Sequence, residues 1–204
     1  MAANYNNSAW FYDRLSGLVY GKALVNAQTW LLPFIPAGST ILIVGGGTGR
    51  ILEEIGKTRS GLDITYVEIA ANMMRLSKKK EPGNNMVIFI NEAIENVSPG
   101  KIFDVVITPF LFDNFTEENL QKIFGNIHEA LKPNGLWLNT DFQLTGKWWQ
   151  GILLKSMFLF FRLVCGIEAK KLPDISGSFL KYGYTVIESD TFLGNFILST
   201  AYKK

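Results

Sequence analysis

Short apolar runs alternate with segments of helical periodicity through the middle of this chain. The apolar runs contain four to six residues and show little alternation of polar and apolar positions, which is typical of strands buried on both faces of a parallel sheet. They cover residues 41–44, 63–68, 86–90, 103–107 and 136–139. The intervening segments with apolar positions at helical spacing are 50–57, 71–80 and 117–131, the last preceded by Thr116 as a helix cap. This pattern predicts an α/β fold, a parallel sheet with helices on both faces.

Both ends of the chain carry further patterns. Residues 8–18 and 22–32 are predicted helices that precede Pro33 and Pro36, and another helix should begin near Lys147. Residues 184–192 and 195–202 are typical of a β-hairpin that turns around Gly194 and Asn195. Because the sequence has no internal repeat and no long linker, we expect residues 1–204 to form a single domain.

A glycine-rich turn directly follows the first predicted strand. Its glycines are spaced as G-x-G-x-G, at Gly45, Gly47 and Gly49. Glycines at such a strand-to-helix turn let the backbone approach a nucleotide closely. A dinucleotide fingerprint would require a further glycine at position 50, which is Arg50 in this chain.

An acidic residue ends the second predicted strand. Glu68 follows Gly49 by nineteen residues, and a carboxylate at this place can accept hydrogen bonds from both hydroxyls of a ribose. The same spacing suits a nicotinamide cofactor. Glu68 therefore predicts that a nucleoside binds here without deciding which one.

The glycine turn, Glu68 and the run 69–74 together resemble the class I S-adenosylmethionine-dependent methyltransferases. The resemblance implies S-adenosylmethionine as cofactor and a Rossmann-like, seven-stranded, mostly parallel sheet with one antiparallel strand contributed by the C-terminal hairpin. It also implies that an acid after the third strand contacts the adenine amino group while the next residue offers a backbone amide. The cofactor-binding residues implied are Gly45, Gly46, Gly47, Gly49, Glu68, Ile69, Met73, Glu92, Ala93 and Thr108.

The segment after the fourth predicted strand should face the reacting centre, because ligands of open α/β sheets bind beyond the carboxyl ends of strands. Pro109 and Phe110 are expected to shape the substrate pocket. Amino-methylating members of the family have an amide or carboxylate where this chain has Thr108, so nucleobase methylation is not implied. Asp113 and Tyr12 are the candidate catalytic residues for removing a proton from the acceptor. Asp113 is an equally good candidate for the cap of the following helix.

Two helical regions flank the predicted sheet. The resemblance implies that residues 1–36 form an N-terminal helical lid over the cofactor and that residues 147–180 form a helical insertion that recognises the acceptor. Tyr20 and Trp148 are expected in the substrate pocket. Such a pocket would be aromatic and mostly uncharged, which favours a small apolar or aromatic acceptor.

Residues 148–167 are apolar enough to raise the question of a membrane. Twenty helical residues measure about 30 Å, which would suffice for a bilayer. Lys155 and Arg162 disfavour a spanning helix, because each would cost about 2.5–3.5 kcal/mol at the bilayer centre. Packing against the sheet, a cover over a lipophilic acceptor, and peripheral contact with a membrane or with another subunit remain as alternatives.

Composition narrows the classes of function. The chain has 204 residues, a net charge of +2 and 19% charged residues, so we expect a globular domain without affinity for nucleic acid. It contains one histidine, His128, and one cysteine, Cys165. We therefore expect no metal site and, since no signal segment is evident, a cytoplasmic location.

Two alternatives to a methyltransferase share these motifs. A non-catalytic sensor or scaffold that binds S-adenosylmethionine would keep every glycine of the turn. An NAD-dependent oxidoreductase would share the first strand and Glu68, but its glycine spacing is interrupted by Arg50. The acceptor, the methylated atom and the oligomeric state are not determined by the sequence.

Overall fold

A computed structural model describes residues 17, 19–97, 102–166 and 169–204 of the chain. The described residues form a seven-stranded sheet with the spatial order β3-β2-β1-β4-β5-β7-β6. Its strands are β1 (Thr40–Val44), β2 (Asp63–Val67), β3 (Met86–Ile90), β4 (Phe103–Pro109), β5 (Leu131–Phe142), β6 (Thr185–Phe192) and β7 (Ile197–Lys203). The helices are α1 (Ala23–Thr29), α2 (Arg50–Thr58), α3 (Ala71–Ser77), α4 (Glu117–Ala130), α5 (Trp148–Cys165) and α6 (Ile175–Lys181).

The order of the strands reverses at β1. Strands β2 and β3 lie on one side of β1 and β4 and β5 on the other, and all five are parallel. Strand β7 is antiparallel to both β5 and β6. The predicted fold class is therefore confirmed, and the point between β1 and β4 is where an open α/β sheet forms its ligand crevice.

The two faces of the sheet carry separate apolar cores. One core contains α4, α6 and a group of buried aromatic rings, in which Phe124 packs on Trp137 with 4.6 Å between ring centroids. The other contains α2 and the segment before β1. Thr116 caps α4 by accepting a hydrogen bond from the Asn119 N–H at 3.4 Å, as predicted.

Several boundaries differ from the prediction. Strand β4 extends to Pro109 because it continues to pair with β5, where Pro109 lies opposite Thr140. Helix α1 is shorter than predicted, and a separate 3-10 turn at Leu32–Phe34 follows it. The predicted insertion 147–180 contains two helices, α5 and α6. Most of the predicted helix 8–18 lies outside the described residues.

Candidate active site

A cleft of about 690 Å³ lies at the carboxyl ends of the parallel strands. This volume falls within the range of roughly 300–1,000 Å³ that is typical of small-molecule sites. The glycine turn after β1 and Glu68 after β2 form one wall, and the loop after β4 forms the floor. Helix α5 forms the opposite wall, together with residues 19–28 around α1.

The glycine turn closes against the second strand without any side chain of its own. Gly45 donates its N–H to the Val67 carbonyl at 2.9 Å, and Tyr66 donates its hydroxyl to the Gly47 carbonyl at 3.0 Å. A Cβ on Gly46 would lie 2.4 Å from the Tyr66 ring, whereas nothing lies within 4 Å of the Cβ position of Gly47. Gly46 is therefore required for packing, whereas the missing side chain of Gly47 leaves space for a ligand to approach the backbone closely.

Glu68 ties the two strand ends together. One carboxylate oxygen accepts the Gly47 N–H at 3.0 Å and the other accepts the Ala70 N–H at 2.8 Å. Burial raises the pKa of the Glu68 carboxyl, and the hydrogen bonds from the backbone of Ala70, Gly47 and Ile69 oppose that rise. A carboxylate has about four acceptor positions, so three backbone donors leave Glu68 capacity for a further hydrogen bond, such as one from a ribose hydroxyl in the cleft.

Asn91 supports the turn that presents Glu68. Its amide nitrogen donates to the Glu68 carbonyl at 2.7 Å and to the Ile69 carbonyl at 3.1 Å. Glu92 and Ala93 follow it directly and line the same end of the cleft. Glu92 and Ala93 therefore lie at the end of the cleft where the resemblance places the adenine.

Comparison with known proteins agrees with this geometry. Residues 42–137 match the family model described as a methyltransferase domain. The match begins within β1, includes the whole glycine turn and ends within β5. The chain is 28% identical over 199 residues to the ubiquinone/menaquinone biosynthesis C-methyltransferase UbiE of Wigglesworthia glossinidia brevipalpis, covering 89% of this chain and 72% of that protein. The chain belongs to the class I S-adenosylmethionine-dependent methyltransferases.

Two further methyltransferases illustrate the breadth of the family. The malonyl-[acyl-carrier protein] O-methyltransferase of Bacillus cereus is 30% identical over 141 residues, which is 68% of this chain but only 51% of that protein. The chain thus spans about half the length of that relative. The crystal structure of the 1,6-didemethyltoxoflavin-N1-methyltransferase of Burkholderia thailandensis, bound to its substrate and S-adenosylhomocysteine, shares the fold with a TM-score of 0.68 at 15% identity, covering 97% of this chain and 84% of that one.

S-adenosylmethionine is the cofactor of this methyltransferase, and the described residues fit it. The open position above Gly47 and the buried Glu68 carboxylate provide close backbone approach and a ribose acceptor. Family membership therefore decides between the two nucleoside cofactors that the spacing of Glu68 allows.

Most of the predicted binding residues lie at the cleft. Those that line it are Gly45, Gly46, Gly47, Glu68, Ile69, Met73, Glu92 and Ala93 on the cofactor side, and Tyr20, Pro109, Phe110 and Asp113 on the acceptor side. Tyr12 lies outside the described residues. The contacts that these residues make with a bound ligand stay predictions.

Three predicted residues do not line the cleft of this methyltransferase. Gly49 packs behind the turn, where an added Cβ would lie 2.7 Å from Ser77. Thr108 is fully buried in the sheet, donating its hydroxyl to the Asn139 side chain at 2.8 Å and accepting the Trp137 indole N–H at 2.9 Å. Trp148 begins α5 on its outer side and is 79% exposed. Placing Thr108 and Trp148 in the site was wrong, because strand pleat and helix rotation turn both side chains away from it.

The floor of the cleft holds the buried carboxyl of Asp113. A second buried carboxyl, that of Asp141, neighbours Asp113 without lining the cleft and was not assigned from the sequence. Asp113 lies in the 3-10 turn Phe112–Asn114 and lines the cleft, whereas the cap of the next helix is Thr116. Asp141, near the end of β5, accepts the Phe112 N–H at 3.0 Å and the Phe142 N–H at 2.9 Å. The sequence indicated Asp141 only as a polar residue shortly after the predicted apolar strand 136–139.

Both carboxyls are hard to ionise. Burial raises the pKa of Asp141 to about 7, against the opposing effect of its backbone hydrogen bonds. Burial and the neighbouring charge of Asp141 raise the pKa of Asp113 well above its usual value. Burial of the Tyr20 hydroxyl, together with the charge of Asp113, raises the pKa of Tyr20. This hydroxyl donates a hydrogen bond to the Met157 sulfur at 3.3 Å. Asp141, with more backbone donors, is the better-stabilised anion of the pair.

Helix α5 contributes a second set of lining residues that the sequence analysis did not assign. Their recurrence at helical spacing is the one feature of the sequence that could have indicated them. These lining residues are Leu153, Ser156, Met157, Phe160 and Phe161. With Phe110 and Phe142 they make the acceptor end of the cleft largely apolar.

Glu68→Gln tests the ribose position. Glutamine has a single acceptor oxygen, so it cannot hold both the Gly47 and Ala70 N–H groups and also accept ribose hydroxyls. We expect the affinity for S-adenosylhomocysteine to fall by about 1.5–3 kcal/mol, roughly ten- to a hundredfold, by calorimetry. The exposed Glu81→Gln is the control. Unchanged affinity in Glu68→Gln would remove this carboxylate from the site.

Asp113→Asn tests the buried carboxyl pair through stability. In the folded chain both pKa values lie above the ordinary value of 3.8, so folding takes up protons and the free energy of unfolding should fall as pH rises from 4 through 7. Asp113→Asn should flatten this fall, so that the variant gains stability relative to the wild type as pH rises from 5 to 8, because the wild type must ionise a buried carboxyl that the variant lacks. Parallel urea-denaturation profiles for the two proteins would contradict the assignment.

Proposed function

We propose that this methyltransferase acts on a small, largely apolar or aromatic acceptor, and that Asp113 receives the proton that the acceptor loses. The observation that carries the proposal is the contrast between the two ends of the cleft. The cofactor end presents the glycine turn and the Glu68 carboxylate that orders it. The acceptor end presents aromatic and aliphatic side chains around the buried carboxyl of Asp113.

The chemistry required of the protein is modest. When bound, S-adenosylmethionine supplies a methyl group that its sulfonium charge already activates, so holding the acceptor in line accounts for much of the catalysis. The rings of Phe110 and Phe142 pack at 5.0 Å between centroids and give the acceptor end a rigid apolar wall. Such a wall suits a planar or aliphatic molecule and disfavours a charged one.

Asp113 is suited to a proton-accepting role by its position and its pKa. It lies at the cleft surface, and the Asn114 amide holds one of its oxygens at 2.7 Å. A general base is most effective when its pKa is near the working pH, and burial moves the pKa of Asp113 upward from its ordinary acidic range. Because only the ionised carboxyl can accept a proton, turnover should increase with pH while stability falls.

The similar proteins support the chemical class of acceptor. UbiE is named for ubiquinone and menaquinone biosynthesis, and the Burkholderia structure holds bound 1,6-didemethyltoxoflavin. A quinol or phenol combines the two properties that this cleft favours, an aromatic body and a proton that must leave. A carbon or an oxygen of such a molecule could receive the methyl group.

Transfer of a labelled methyl group into a panel of quinols, phenols, lipids, amines and nucleosides tests the proposal. We expect product with the apolar or aromatic acceptors and, in Asp113→Asn, a kcat lower by about 10²-fold or more with unchanged affinity for S-adenosylhomocysteine. Asp190→Asn, an exposed carboxyl on β6, is the control.

Two outcomes would contradict this proposal. Label that appears only in amines or nucleosides would refute the acceptor class. Tight cofactor binding with no product from any acceptor would favour the non-catalytic sensor instead.

A further inference from the structure

The outer side of α5 exposes large apolar side chains that the cleft does not use. The exposed fractions are 79% for Trp148, 60% for Ile152, 50% for Leu159 and 77% for Leu163. At 3.6 residues per turn these four positions fall on one narrow line along the helix. We refer to them as the outer stripe.

The outer stripe lies between two different neighbours on the helix surface. On one side are the exposed cations Lys155 and Arg162. On the other side is the row of α5 residues that lines the cleft, beginning with Ser156, which is itself exposed. The apolar stripe therefore forms the outer edge of the cleft rim.

Helix α5 packs against the rest of the domain along one side and exposes its other side to solvent. By length and composition it could cross a membrane, with a mean hydropathy of 1.2 over 18 residues. Its inner side, however, packs into the core through Leu154, Phe158 and Cys165. The fully buried Gln150 also donates to the Gly194 carbonyl at 3.2 Å. A spanning helix would have to give up these contacts.

The charged residues of α5 itself have one sign. The helix contains Lys155 and Arg162 and no acidic residue, and Lys147 directly precedes it. Amphipathic helices with an apolar line beside cations bind anionic lipid surfaces, and a terminal tryptophan such as Trp148 prefers the interface between lipid and water. A partner of matching chemistry is apolar in its interior and negatively charged at its surface.

We propose that the outer stripe docks on an anionic phospholipid bilayer, with α5 lying in the plane of the interface. The cleft rim would then face the lipid, giving a lipophilic acceptor a short path from the bilayer to Asp113. That path rests on the proposed function, whereas docking itself needs neither cofactor nor acceptor.

Co-sedimentation of the full chain with phosphatidylcholine vesicles, with and without phosphatidylglycerol, tests the docking. We expect binding that requires the anionic lipid. Leu163→Ser should weaken vesicle binding by roughly tenfold or more, because it removes a leucine from the outer stripe that docking would bury in the lipid. Lys155→Ala should weaken it by about fivefold. Leu180→Ser is a matched control, since Leu180 is a 78% exposed leucine on α6 and should leave binding unchanged.

A second measurement reports the position of the helix directly. Brominated acyl chains should quench tryptophan fluorescence in vesicle-bound protein, and Trp148→Phe should remove most of that quenching. Equal losses for the two leucine variants, binding without anionic lipid, or a dimer in solution that Leu163→Ser dissociates would each overturn the proposal. Calorimetric binding of S-adenosylhomocysteine by the same variants would show that they are folded. Because vesicle binding is measured without cofactor or acceptor, a failure of docking is distinguishable from a failure of the proposed catalytic function.

Discussion

The Glu68 carboxylate holds together the part of the molecule on which the site depends. Its two oxygens connect Gly47, after β1, with Ala70, before α3. The carboxyl ends of two adjacent strands are thereby fixed in one geometry, and the glycine turn is held open toward the cleft. A buried carboxylate is costly unless it is hydrogen-bonded, and the backbone donors around Glu68 offset that cost. The same group that orders the turn is also the acceptor available to a nucleoside.

A second carboxylate plays a parallel part at the acceptor end. Asp141 anchors the turn after β4 through the Phe112 N–H, and that turn brings Asp113 to the floor of the cleft. Phe110 enters the turn with a φ of 53°, a left-handed conformation that is uncommon for a bulky residue. Its N–H donates to the Thr140 carbonyl at 2.7 Å. Strand β5 thus determines where the loop of β4 places its acid.

The sequence predicted the strands well because buried parallel strands are continuous apolar runs that turn residues interrupt. Residues 86–90 were predicted with the bounds that β3 has. The glycine turn and Glu68 could be located because their chemistry requires a fixed spacing along the chain. The direction of individual side chains was harder to predict, as Thr108 shows: one step of strand pleat decides whether a hydroxyl faces the cleft or the buried Trp137.

Residues that reach the site from distant elements could not be assigned by local patterns. Asp141 and the lining face of α5 acquire their roles through pairing of β5 with β4 and packing of α5 over the hairpin. The apolar segment 148–167 of the sequence becomes a helix whose surface divides into a core part, a cleft part and an exposed stripe. Periodicity alone reports that such a face exists, but tertiary packing decides which part of it remains in contact with solvent.

The central claim is that the nucleoside of the cofactor binds at the carboxylate that orders the glycine turn. A crystal structure of the complex with S-adenosylhomocysteine tests it most directly. We expect a ribose hydroxyl within hydrogen-bond distance of the Glu68 carboxylate, the adenine beside Glu92 and Ala93, and the sulfur directed toward Asp113. A ligand bound elsewhere, or a ribose that makes no contact with Glu68, would contradict it.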